Sequence, residues 1–225
     1  MARKDINKVY SAITPEDYEY LVNDYLGDKY LDGKLLKDLK PNESTNKIES
    51  RVKAISDIKN KIMKVVIVPK SSPYKKDDTG VYFNKYQDLY EQVFSFLDEY
   101  RLIGTPLYVD GAEFVEVNIS ANISVKDRFV PKNVNDNVED AIKTFLHPFE
   151  GGTLKKGWPF GRGVFKSEIY KVMARVNGVD CVQKLEISCP NDEYIDDDSN
   201  LSIPDIGLIY LKEVSITNIS KSQWS

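Results

Sequence analysis

A glycine-rich segment with aromatic and basic side chains, residues 146–180, is the part of the sequence whose composition could support chemistry. Glycines ahead of a helix can cradle a phosphate, because backbone N–H groups and the helix dipole favour an anion there. Positive charge near the next predicted helix comes from Lys155, Lys156, Arg162 and Lys166. A P-loop, however, needs Lys and then Ser or Thr directly after its last glycine, between a strand and a helix. This segment follows a helical pattern and is interrupted by Trp-Pro-Phe, so phosphate binding is the weaker interpretation.

The alternative interpretation of the same segment is structural. Glycine supplies tight turns, whereas Trp158 and Phe160 supply large areas that become buried within the fold or against a neighbouring subunit. We therefore predict that residues 150–166 form a rigid loop that is either a structural or an interface element. The predicted interface residues are Trp158, Phe160, Arg162, Lys155 and Lys156.

Histidine and cysteine chemistry has little support in the sequence. His147 is the one histidine, so any Ser-His-Asp or Cys-His catalysis must use it, but its place beside Pro148 favours contact with the last carbonyls of a helix. A strand would hold Cys181 and Cys189 ~26 Å apart, so both are predicted to be reduced, with Cys181 buried. One histidine and two cysteines make no convincing zinc site. No catalytic residue, cofactor or metal site is predicted.

Two further clusters could bind ligands. Asp196–Asp198, with Asp192 and Glu193 nearby, could hold calcium, but they lack the alternating ligands and the glycine of an EF-hand loop, which favours a solvated acidic loop. The second cluster consists of tyrosines that share a helical face or precede it and could stack on sugars, although packing in the core explains their positions more simply. They are Tyr82, Tyr86, Tyr90 and Tyr100. A phosphate- or sugar-binding enzyme that uses the loop and these tyrosines is the alternative function.

Composition indicates a globular chain with an uneven charge distribution. The net charge of −4 over 225 residues disfavours wholesale binding of nucleic acid or acidic membranes. No apolar run approaches the ~18 residues of a membrane span, and the first residues lack a signal-peptide core, which predicts cytoplasmic synthesis. Basic side chains are in excess over residues 1–70 and acidic ones over 178–225. These regions could meet head to tail between copies of the chain, or simply be solvated surfaces.

The periodicity of apolar residues predicts the elements that position this loop. The first half is expected to contain a helix from Pro15 capped by Thr14 and Asp17, strands over 51–58 and 61–68, a helix over 84–101 whose apolar face includes Phe94, and a strand over 106–109. The second half is expected to contain a strand over 114–125, a helix over 138–146, a helix capped by Ser167, and a strand over 179–188, followed by Leu208–Leu211 and Glu213–Ile219 as a closing hairpin or as paired strands. The predicted fold class is α+β, with small domains at 1–110 and 111–225, each with helices packed on a mainly antiparallel sheet.

Several segments together resemble one family, the baseplate J-like proteins, which are baseplate assembly or wedge proteins of contractile phage tails and related injection machines. Residues 12–19, AITPEDYE, resemble the family's RAVTxEDYE element, although Ser11 stands where the family often has arginine. The resemblance continues in the VVIVP strand at 65–69, in YRLIGT with the strands that follow at 100–117, in LHPFEGG with GWPFGR at 146–162, and in VNGV at 176–179.

This resemblance implies a structural protein without catalysis that corresponds to the C-terminal part of the family. It implies a baseplate wedge subunit that helps to form an oligomeric ring around the tail hub. The implied partners are other copies of the chain and other baseplate proteins, namely wedge, hub and sheath-initiating components. A glycan-binding accessory of the same particle is a further alternative.

Overall fold

A computed structural model of the chain describes residues 11–31, 34–35, 50–57, 59–69 and 87–219. Contacts between residues divide the chain into two units, Met1–Ala112 and Glu113–Ser225. Each unit has its own core of buried apolar side chains. None of the helices in the described ranges is long and apolar enough to cross a membrane.

The described residues of the first unit form two helices on a three-stranded sheet. Its elements are α1 (Pro15–Lys29), β1 (Tyr30–Leu31), β2 (Lys34–Leu35), β3 (Ser50–Asp57), β4 (Ile62–Pro69), α2 (Gln87–Asp98) and β5 (Leu107–Asp110). The sheet order is β3-β4-β5, with β3 antiparallel and β5 parallel to β4, while β1 and β2 pair separately. Helix α1 contacts β3, α2 contacts β5, and the two helices contact each other.

The start of α1 confirms the predicted capping box. The Thr14 hydroxyl accepts a bond from the Asp17 N–H at 3.3 Å, and the Asp17 carboxylate accepts bonds from the N–H groups of Thr14 at 2.8 Å and Ile13 at 3.0 Å. These backbone bonds, that from Thr14 foremost, hold the pKa of Asp17 below its ordinary value. The local residue pattern is therefore sufficient to fix where this helix begins.

The prediction that Phe94 joins the buried face of α2 is wrong. The buried stripe consists of Leu89, Tyr90, Val93 and Leu97. Phe94 is next to Val93 in the sequence, about 100° further around the helix, and it remains 40% exposed. The predicted helix start at 84–86 lies outside the described residues.

The second unit also places two helices on a three-stranded sheet. Its elements are β6 (Glu113–Val125), α3 (Pro131–Leu146), α4 (Lys166–Ala174), β7 (Val179–Ser188), a short 3-10 helix (Asp192–Tyr194) and β8 (Gly207–Asn218). The long strand β6 lies in the centre, with β7 antiparallel on one side and β8 parallel on the other. Helix α3 contacts β8, α4 contacts β7, and the helices contact each other.

The predicted closing hairpin is a single strand. Residues 207–218 run parallel to β6 throughout, and the register shifts where Val117 pairs with Leu211 and Asn118 with Glu213. Lys212 is the extra residue at that shift, and its Nζ lies 2.8 Å from a carboxylate oxygen of Glu116. The two predicted segments are thus continuous through a bulge at Lys212, where no glycine or asparagine is present to reverse the chain.

The predicted α+β class, with two small domains and helices packed on sheets, is confirmed. Each sheet contains one antiparallel and one parallel pair, so both sheets are mixed rather than mainly antiparallel. In each unit the parallel partner, β5 or β8, follows at least one intervening helix, which is the connection that parallel pairing requires.

Candidate functional site

The loop between α3 and α4 follows a path that its own backbone hydrogen bonds determine. Gly151 and Trp158 both donate their N–H groups to the His147 carbonyl, at 2.7 and 3.1 Å. Gly157 donates to the Gly151 carbonyl at 3.0 Å, and Gly161 donates to Gly207 at the start of β8, also at 3.0 Å. These are N–H groups that a phosphate would need. Because protein carbonyls already engage them, this geometry does not favour the phosphate cradle.

Trp158 is the buried anchor of this loop. Its side chain is 0% exposed within the core of the second unit. The indole Nε1–H donates to the Arg162 carbonyl at 2.8 Å, and the ring meets Phe145 edge to face with centroids 5.3 Å apart. Of the two roles left open for Trp158, burial within the fold and contact with a neighbouring subunit, its side chain therefore takes the first.

Arg162 covers the indole from the solvent side. Its guanidinium carbon lies 4.9 Å from the centroid of the Trp158 ring, and its Nη2 forms an ion pair with Glu168 in the first turn of α4. Both charged side chains are partly exposed, at 30% and 23%. The Glu168 carboxylate also places negative charge where the α4 dipole favours it. Arg162 thus joins the loop to α4, and its charge is already balanced within the chain.

The other predicted interface residues lie further towards solvent. Lys155 and Lys156 are exposed beside Leu154, which is 79% exposed, whereas Phe160 is half-buried. Lys155 adopts a left-handed backbone conformation with φ of 52°, so the loop reverses direction at this point. Of the predicted interface residues, Lys155 and Lys156 are the exposed ones, and together with Leu154 they form the exposed tip of the loop, residues 154–156.

A close contact between backbones joins the end of the loop to the acidic segment that precedes β8. Val164 and Leu201 exchange two N–H to carbonyl hydrogen bonds, both 2.9 Å long. A Cβ atom added at Gly163 would lie 1.8 Å from the Leu201 carbonyl oxygen. Only glycine fits at this position, because backbone atoms of the bridge occupy the space of any side chain.

Helix α4 is capped from a distance, and the predicted cap at Ser167 is wrong. The residue that precedes α4 is Phe165, which makes no side-chain cap, and Ser167 lies inside the first turn. The Asn200 side-chain oxygen instead accepts the Lys166 N–H at 3.0 Å. Asp196 holds Asn200 by accepting its backbone N–H at 2.7 Å and its side-chain amide at 3.2 Å. The acidic loop therefore has a structural role, because its residue Asn200 caps the N-terminus of α4.

Replacing Asn200 by alanine should lower the free energy of unfolding by about 1 kcal/mol, because the Lys166 N–H loses its acceptor. Ser167→Ala is the matched control, since its hydroxyl makes no cap, and its effect should stay within about 0.5 kcal/mol. Urea denaturation of both variants compares the two positions. A larger loss for Ser167→Ala than for Asn200→Ala would contradict the remote cap.

His147 has a structural role at the end of α3. Its Nδ1 accepts the backbone N–H groups of Glu150 at 3.1 Å and Phe149 at 3.3 Å, and its own backbone N–H donates to the Thr144 carbonyl of α3 at 3.4 Å. Its own backbone follows α3 as the C-cap residue. The imidazole thus supports the first turn of the loop.

The remaining candidate residues are not brought together as a ligand site in the part of the chain that the structure describes. Cys181 and Cys189 are both free thiols, as predicted, but Cys189 is the buried one and Cys181 is half-buried. Tyr90 is buried in the first core and Tyr100 packs against Phe96, while Tyr82 and Tyr86 lie outside the described residues. Within the described ranges, no three His, Cys, Asp or Glu side chains come together as metal ligands.

A groove of about 750 Å³ lies between α3, α4 and the loop tip. Its apolar lining includes Phe145 and Val172, and its charged lining combines Asp140 and Glu150 with Lys155 and Arg175. A polar rim around an apolar floor is typical of a surface that another protein covers. This groove and the adjacent tip are the candidate interaction site of the second unit. Lys155 is among the interface residues predicted from the sequence. Arg175 is not, because it lies directly after α4 and belongs to no recognisable sequence motif.

Comparisons with known proteins concern the fold. Neither protein-family models nor curated proteins match the sequence. Among solved structures, the chain is similar to one chain in the cryo-EM structure of the anti-feeding prophage baseplate, symmetrised sixfold, with a TM-score of 0.60 and 10% identity. The match covers 94% of this chain but 40% of the other, so this chain spans less than half of that relative's length. At this identity the likeness shows the fold alone: the fold of this chain is similar to that of a segment of that baseplate chain.

Proposed function

We propose that this chain is a structural baseplate subunit of a contractile tail or contractile injection particle. The observation that carries the proposal is the fold likeness to an anti-feeding prophage baseplate chain across 94% of the sequence. The finer role proposed is that of a wedge subunit, which contributes to the ring around the tail hub. The proposed partners are other copies of the chain and the wedge, hub and sheath-initiating proteins of the same baseplate.

The organisation of the second unit supports a structural role. Its most distinctive residues, in the GWPFGR segment, provide an indole anchor, a backbone turn and the Arg162 to Glu168 ion pair. All three fix the shape of a loop whose tip, residues 154–156, extends into solvent. A loop with a rigid base and an exposed tip can meet a neighbouring subunit at little entropic cost.

The loop tip provides a direct test of this proposal. Lys155→Glu with Lys156→Glu is expected to reduce the yield of assembled particles about tenfold or more, because both charges at the proposed contact are reversed. The stability of the isolated chain should change by less than about 0.5 kcal/mol, because both lysines are exposed. The variant would be produced with the complete set of baseplate proteins, and particles would be counted by electron microscopy.

A matched control distinguishes the loss of a contact at the loop tip from a general effect of the changed net charge. Lys171→Glu with Lys184→Glu makes the same change of net charge at exposed positions on α4 and β7, and it should leave the particle yield unchanged. Equal yields for the two double variants would remove the loop tip from the interface. Trp158 is unsuitable for this test, because replacing a buried side chain acts through folding.

A further inference from the structure

The two edges of the first sheet differ in how they are protected. At the β3 edge, the Glu19 carboxylate of α1 accepts the Ala54 N–H at 2.9 Å and pairs with Lys53. The opposite edge is β5, the last strand of this sheet in the part of the chain that the structure describes. An uncovered edge strand presents backbone donors and acceptors that another strand can pair with.

The register of β5 identifies which backbone groups face outwards. β5 runs parallel to β4, with Met63 opposite Leu107 and Val65 opposite Val109. The Met63 N–H donates to the Pro106 carbonyl at 2.9 Å. Because consecutive residues of a strand direct their N–H and C=O groups to opposite sides, this register directs those of Leu107 and Val109 away from β4.

A groove of about 460 Å³ runs beside this edge, between β5 and α2. Buried Tyr90 and Leu107 form its floor. Phe94, which is 40% exposed, lines the groove from α2, and Tyr108, which is 63% exposed, lines it from β5. Aromatic side chains around an apolar groove are the kind that contribute most when a partner excludes water from them.

The charge around this groove selects the kind of partner. Glu91 lines the groove and Asp110 ends β5, and both side chains are exposed. The lining residues that the structure describes include neither lysine nor arginine. A segment that carries positive charge is therefore favoured over a neutral or acidic one.

We propose that the open edge of β5 binds an extended segment of a partner protein, which extends the β3-β4-β5 sheet by one strand. The backbone groups of Leu107 and Val109 supply the hydrogen bonds, and the aromatic groove receives alternate apolar side chains of the segment. Glu91 and Asp110 pair with a lysine or arginine of the same segment. This inference goes beyond the baseplate role and stands without it, because it rests on the geometry of the first unit alone.

Hydrogen exchange of the full chain tests whether the edge is open. The amides of Leu107 and Val109 are expected to exchange fast, while those of Tyr108 and Asp110, which face β4, are expected to be protected. Protection of Leu107 and Val109 at all concentrations would overturn the proposal, because a segment of the same chain would already cover the edge. If protection of these two amides increased with protein concentration, the proposal would also be overturned, because a second copy of the chain would then cover the edge.

Binding is tested with a random peptide library selected on the full chain. We expect enrichment of sequences that alternate apolar residues with lysine or arginine. Val109→Pro removes an outward N–H without breaking the ladder to β4, and it should weaken the selected peptides about tenfold or more. Val109→Thr changes the side chain but retains the N–H, so it should weaken binding less than Val109→Pro does. Failure to enrich such peptides, or equal binding to a folded Val109→Pro variant, would overturn the proposal.

Discussion

Replacing Trp158 by alanine is expected to lower the free energy of unfolding of the Glu113–Ser225 unit by about 3–5 kcal/mol. The side chain is 0% exposed, so the substitution leaves a cavity in the core. It also removes the edge-to-face contact with Phe145 and leaves the Arg162 carbonyl without the indole donor. Urea denaturation followed by circular dichroism measures the loss, since this readout does not depend on tryptophan fluorescence.

The same loop offers a matched control for this prediction. Phe165 is also aromatic and lies at the end of the loop, but it is 44% exposed. Phe165→Ala should therefore cost only about 1 kcal/mol, in proportion to the smaller area that it buries. If Trp158→Ala were no more destabilising than Phe165→Ala, the indole could not be the anchor of the loop.

Replacing Gly163 by alanine is expected to lower the free energy of unfolding by about 3 kcal/mol. The added Cβ would lie 1.8 Å from the Leu201 carbonyl oxygen, and backbone atoms cannot move aside as a side chain can. The bridge between Val164 and Leu201 must open, which breaks two hydrogen bonds and displaces the neighbouring Asn200 from α4. Faster hydrogen exchange of the Lys166 amide would accompany the loss, because that amide is bonded to Asn200.

A double-mutant cycle isolates this mechanism. If Gly163→Ala already withdraws Asn200 from α4, adding Asn200→Ala should cost little more, so the two effects should fall short of additivity by about 1 kcal/mol. Gly104→Ala provides a comparison without crowding, because an added Cβ there meets nothing within 4 Å and only the φ of 85° is unfavourable. Strict additivity of the Gly163 and Asn200 substitutions would show that the bridge and the cap are independent.

The parts of the fold that the sequence predicted well depend on neighbouring residues. The start of α1 follows from Thr14 and Asp17, whose bonds span three and four residues. The long strand β6 follows from alternating apolar residues, and the structure buries that alternation in the centre of the sheet. In each case, the information that determines the element lies within it.

The parts that the sequence did not predict depend on distant residues. The cap of α4 comes from Asn200, 34 residues away, and no local pattern distinguishes it from Ser167. The path of β8 depends on pairing with β6, whose register accommodates Lys212 as a bulge. Likewise, the Trp-Pro-Phe sequence indicates that Trp158 becomes buried, but it does not indicate which residues surround the indole. Those neighbours, Phe145 and Arg162, are brought to Trp158 by the tertiary fold. Tertiary contacts therefore decided whether the predicted interface side chains were exposed.

The central claim, that the chain is a baseplate subunit, is tested most directly by cryo-EM of particles purified from the source that encodes it. We expect density for both units of this chain within the baseplate, with the loop tip, residues 154–156, against a neighbouring subunit. Complete particles whose baseplate contains no density for this chain would contradict the claim.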